Sequence, residues 1–145
     1  MNPRADLFNE DLKINMPNTF NLQEFDDEAK TVVFKSNISV KEQTLPLAVF
    51  LDNTVFPMVR VFVAGKVVND DNRSRVLACF NEMNKKYKVF KYYEDELGDI
   101  IVDACVPALD ENFAPKIIHV VIEAIVNHLN EDYSEIMNAV WGKKE

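Results

Sequence analysis

The feature that most limits what this chain can fold into lies near its C-terminus, in a helical pattern from Asn112 to Asn130 that is apolar around most of its circumference. At roughly 100° per residue, Lys116, His119, Glu123, Asn127 and Asn130 fall on one narrow stripe. Ile117, Ile118, Val120, Val121, Ile122, Ala124, Ile125, Val126 and Leu129 fill the remainder, an arc of about 260°. A single sheet face covers much less than that, so the pattern predicts a second surface against this helix. A two-fold copy of the chain is one source. An N-terminal segment folded back with Phe8, Leu12, Phe20 and Phe25 is the other. Val120 and Val126 flank the polar stripe on opposite sides, and in a simple monomer at least one of them is expected to stay exposed.

A chain of 145 residues is one ordinary domain, long enough to bury a core without disulfide or metal staples. The net charge of −8 favours solubility and argues against nucleic acid. Its basic residues are dispersed, with no positive stripe to gather phosphates, and a membrane-surface role loses support for the same reason. The N-terminal residues carry Asp6, Glu10 and Asp11 and no apolar run, and the stretch from Ile117 to Val126 is too short to span a bilayer. A cytoplasmic protein is expected. In that setting the acceptor patterns at Asn37 and Asn72 are chance matches, and Cys79 and Cys105 read as reduced thiols packed in a core.

Residues 1–30 are acidic and broken by Pro3 and Pro17, which suggests a short helix around Leu7, Phe8 and Leu12 and then an irregular arm, docked or partly mobile. Residues 31–145 read as the domain proper. From Thr31 to Lys41, apolar and polar residues alternate with the period of a half-buried strand. A second strand covers about Leu45 to Leu51, starting at Pro46 or lying at an edge. A third, Met58 to Ala64, carries no edge protection and is expected in the interior. The second and third are apolar on both faces except at Arg60, which suggests coverage on two sides. Asn69 or Asp70 caps a helix to about Tyr87. Lys88 to Tyr93 and Asp99 to Val106 form a hairpin around Gly98, in a register that sets Lys91 opposite Asp103 and Tyr93 opposite Ile101. The final helix opens near Pro115, and Asp132 to Trp141 continues it or forms a second one. The fold class is therefore α+β, an antiparallel sheet of about five strands in the order α-βββ-α-ββ-α.

No motif announces chemistry. His119 and His128 are nine positions apart on one helix and cannot share a metal in a monomer, so His119 reads as a solvated side chain and His128 as a packing or helix-end contact. The cysteines lack a neighbouring base, the acidic turn Glu94 to Asp99 lacks the ligand spacing of a calcium loop, and three isolated glycines make no phosphate cradle. No catalytic, cofactor-binding or metal residue is assigned. Arg60 covers an open sheet face with its stem or anchors a partner's carboxylate. Trp141 with Ile136, Met137 and Val140 reads as docked core.

The stretch Asn81-Glu82-Met83-Asn84 followed by Lys88 to Tyr93, the turn at Gly98, the strand ending Val106-Pro107, and the closing Asp132-Tyr133-Ser134-Glu135-Ile136-Met137 resemble the YbjN-type domain. The resemblance covers about Thr31 to Trp141. It implies a fold like that of the class I chaperones of type III secretion, a homodimer, and a capacity to hold segments of other proteins. The expected function is then a non-enzymatic, chaperone-like or regulatory interaction domain, with Arg60, Val120, Val126 and His128 as the interaction residues. The alternative is a small-molecule-binding domain or enzyme with a pocket between sheet and C-terminal helix, for which Tyr92, Tyr93, Arg60 and His128 supply the polar groups.

Overall fold

A computed structural model describes residues Met1–Gly142. The chain runs α1 (Pro3–Asn15), β1 (Asn21–Glu24), β2 (Val32–Val40), β3 (Gln43–Leu51), β4 (Met58–Ala64), α2 (Arg73–Lys86), β5 (Lys91–Glu94), β6 (Ile100–Cys105) and α3 (Pro115–Trp141). All strands pair antiparallel in one sheet of order β1-β2-β3-β4-β6-β5. The α+β class is as expected. The count is six strands rather than about five, because β1, in the segment read as an irregular arm, pairs with β2.

Period-2 alternation sorts the strands into two faces. Val32 and Phe34 of β2, Leu47 and Val49 of β3, Val59 and Val61 of β4, and Val102 and Ala104 of β6 are buried in one cluster with residues of the three helices. The helices cover this face alone. The expected coverage of β3 and β4 on both sides is therefore not supplied by the described residues. Strand β4 lies between β3 and β6, in the interior as its lack of charges and proline requires. Pro46 is not the start of its strand; β3 begins three residues earlier and only Leu47–Phe50 pair with β4. Pro46 thus occupies a stretch paired on one side only, where a missing N–H is tolerated.

Local chemistry sets the ends of the elements. Asn2 caps α1 by accepting from the Ala5 amide at 2.9 Å, and Pro3 fills the first helical position. The β2–β3 turn has two central residues, Lys41 and Glu42, both with positive φ (46° and 68°), the geometry that matches strand twist. Helix α2 starts at Arg73, later than expected, because the Asn69 side chain accepts from the Asp71 and Asn72 amides and holds a turn before it. Helix α3 runs unbroken for 27 residues and stops where Gly142 adopts φ 72°.

Helix α1 resolves much of the excess apolar arc of α3. Ala5, Phe8 and Leu12 are fully or nearly buried in the common core, and Phe8 stacks edge-on to Phe34 at 4.9 Å and to Phe20 at 5.9 Å. Asp11 reaches α3 and accepts from His119 at 2.6 Å. The division at residue 30 is thus crossed by the core, with α1 on one side of α3 and α2 on the other. Phe25 does not join them and stays exposed.

Candidate functional site

Among the described residues, the helices leave the other face of the sheet uncovered. Odd-even alternation places Val33 and Lys35 of β2, Ala48 and Phe50 of β3, Met58, Arg60 and Phe62 of β4, Ile101 and Asp103 of β6, and Tyr93 of β5 on it. Strand neighbours bury Val33, Ala48 and Ile101 as a floor, while Phe50 and Met58 are half-buried and Phe62 is exposed. Between Phe25, Phe50 and Phe62 runs a groove of ≈ 540 Å³ over Val33 and Ala48, rimmed by Asn21, Lys35, Asn37 and Pro46. A volume within about 300–1,000 Å³ with apolar walls and few polar groups is the usual form of a binding site.

Arg60 is the polar centre of this face. Its Nε and Nη2 donate to the two oxygens of Asp103 at 2.8 and 3.0 Å, and its guanidinium lies 5.2 Å from the Phe50 ring centroid. The bidentate hydrogen bond to Asp103 raises the guanidinium further above its ordinary value. The Tyr93 hydroxyl donates to the same carboxylate at 3.0 Å. The register Lys91 opposite Asp103 is present, but the ion pair expected from it is not. Lys91 turns back over the sheet edge to donate to the carbonyls of Asn84 and Tyr87, and Arg60 on the neighbouring strand takes Asp103 instead. A charge scan along one hairpin misses this pair, because its members are 43 positions apart.

The second concentration of polar groups lies under the other face. His128 is 3% exposed, with Nε2 2.6 Å from the Tyr92 hydroxyl and Nδ1 3.1 Å from Asp132. Burial would raise the Asp132 carboxyl, but the hydroxyl of Tyr87 at 2.5 Å, with Lys86 and His128, outweighs it and holds the carboxyl below its ordinary value. An ionised Asp132 only accepts, so Nδ1 carries the proton and Nε2 accepts from Tyr92. Burial likewise lowers His128, more than Asp132 raises it, which keeps the imidazole neutral. Because α3 continues to Trp141, this residue sits mid-helix rather than at the helix end suggested by the sequence.

The order carboxylate, imidazole, hydroxyl is that of a nucleophile relay, yet Tyr92 is almost fully buried and burial pushes its hydroxyl far above the ordinary value, the opposite of activation. The ring stack of Tyr87, Phe90 and Tyr92 around His128 makes this a packed polar core. The four groups named for a pocket between sheet and helix therefore separate: Tyr92 and His128 on one face, Arg60 and Tyr93 on the other.

The remaining expected residues divide similarly. Val120 is 49% exposed beside Ile117, while Val126 is half-buried. His119 is not simply solvated but bonded to Asp11, a partner in α1 that no helical periodicity reveals. Cys79 is half-buried with its thiol pushed up to about 11 by burial. Cys105 is a correction: its place in β6 puts it on the open face, exposed. Trp141 is another, 63% exposed although Ile136 and Val140 beneath it are buried. Among the described residues no group of three or more His, Cys, Asp or Glu side chains is placed to hold a metal, and no helix is long and apolar enough to cross a membrane. No family model, no curated protein and no solved structure matches the chain.

Proposed function

We propose that the protein is a non-enzymatic binding module, chaperone-like or regulatory, that takes a segment of another polypeptide on the open face of its sheet. The observation that carries this reading is the one-sided sheet. Three helices shield one face, while the other presents Phe50, Met58 and Phe62 with Phe25 at its margin. An antiparallel sheet commonly faces water on one side, but that side is then polar, and here β4 sets Met58 and Phe62 on either side of Arg60. Aromatics set around a small-residue floor are a feature of interfaces.

Selection from a displayed random-peptide library tests the reading. Binders enriched by the protein, lost with Phe62→Asp and kept with Val120→Asp, are the expected result. No enrichment, or loss only with Val120→Asp, would overturn it. Light scattering adds the second-copy outcome: a dimer dispersed by Phe62→Asp would make another copy of this chain the occupant and overturn the reading.

A further inference from the structure

We infer that the segment taken by the open face is acidic and amphipathic, bulky apolar side chains entering the groove while an Asp or Glu meets Lys35 at its rim. The inference rests on the binding-module reading above and adds the chemistry of the partner. The strands place four charged residues toward this face, Lys35, Arg60, Lys91 and Asp103, an excess of cations in a chain whose net charge is −8. Three of the four are already engaged. Asp103 accepts from Arg60 and Tyr93, and the Lys91 ammonium donates to two backbone carbonyls at the end of α2. Lys35 differs. Its Nζ donates to the neutral Gln23 Oε1 at 3.1 Å, and no carboxylate lies within ion-pair reach of it among the described residues.

Lys35 is also the one charged residue lining the apolar groove. An incoming carboxylate finds there a cation it need not take from another partner. An incoming lysine or arginine finds like charge at the groove, since Asp103 is committed and the carboxylates of Asp95 and Glu96 lie away from it, beside Arg60 and Tyr93. The apolar half of the ligand follows from the walls: Phe25, Phe50 and Phe62 above Val33 and Ala48 accept ring or branched aliphatic side chains.

Calorimetric titration of the full chain with three probes tests this: a short synthetic peptide alternating Phe and Glu, the matched peptide alternating Phe and Lys, and oleate. The Glu peptide is expected to bind at least about tenfold more tightly than the Lys peptide, and Lys35→Glu to reverse that order. Lys35 is exposed, so the variant keeps its fold, checked by an unchanged melting temperature. Equal binding of the two peptides, a preference untouched by Lys35→Glu, or oleate binding more tightly than either peptide would overturn the inference and leave the binding-module reading in place. Failure of both peptides, repeated with the library selection, would remove the binding-module reading itself.

Discussion

The two faces of the sheet are built from the same strands and alternate residue by residue, yet they are different materials. On the helical face Val32, Phe34, Val49, Val61 and Val102 are sealed, and the polar groups that enter it, His128 and Tyr92, form a closed chain of hydrogen bonds to Asp132. On the open face apolar side chains stand beside Lys35, Arg60 and Asp103, and nothing from the described chain covers them. The difference teaches that apolar content alone does not mark a core. What marks the core around α3 is that Tyr92, His128 and Asp132 satisfy one another, whereas the open face keeps a cation, Lys35, paired with a neutral amide.

Adjacent residues of β2 give the sharpest way to break this comparison. Phe34→Ala should destabilise the protein by about 3–5 kcal/mol, while Lys35→Ala next to it should change stability by less than about 0.5 kcal/mol in denaturant unfolding. Comparable costs would mean that the open face is also sealed. Next in size, His128→Asn should cost about 1–3 kcal/mol near neutral pH by leaving buried partners unpaired. His128 has a folded value below its ordinary 6.5, so the unfolded chain binds the proton first as pH falls. The wild-type melting temperature should therefore decline as pH drops through 6.5 toward 5, and the variant should lose that slope; an unchanged slope would place the titration elsewhere.

On the open face Arg60→Ala should cost about 1 kcal/mol, because the pair with Asp103 is partly solvated and Tyr93 still donates to the carboxylate. The smallest expected effect is a gain. Glu42 at φ 68° is a left-handed position that glycine adopts without strain, and Glu42→Gly should stabilise by roughly 0.5–1 kcal/mol. Destabilisation would show that the Glu42 side chain does something in the folded protein beyond making the turn.

The sheet was largely legible in the sequence. Period-2 alternation placed β2 to β4, the missing edge protection put β4 inside, and the match of side-chain types set the register of β5 against β6. What escaped was tied together by side chains far apart along the chain. Nothing in the polar composition of residues 1–30 shows that the Asn2 amide donates to the Leu51 carbonyl or that Arg4 donates to those of Asp52 and Ala108, the contacts that seat α1. Strand β1 is four residues long and wholly exposed, too short to display a period. Of the candidate site, Arg60 stood out as the one charge in an apolar strand, but its partner on β6 did not. Lys35 looked like any outward-facing lysine, because its isolation from carboxylates is a property of the assembled face.

The seating of α1 bears on how the molecule is finished in a cell. Asp11 is 108 positions from its partner His119, and Arg4 is 104 from the carbonyl it holds. The residues of α1 are thus synthesised long before the partners that hold them. Until α3 is made Phe8 has no burial site beside it, and the strip of Ala5, Phe8 and Leu12 stays uncovered on that side. The fold closes only when α1 meets a helix made some hundred residues after it.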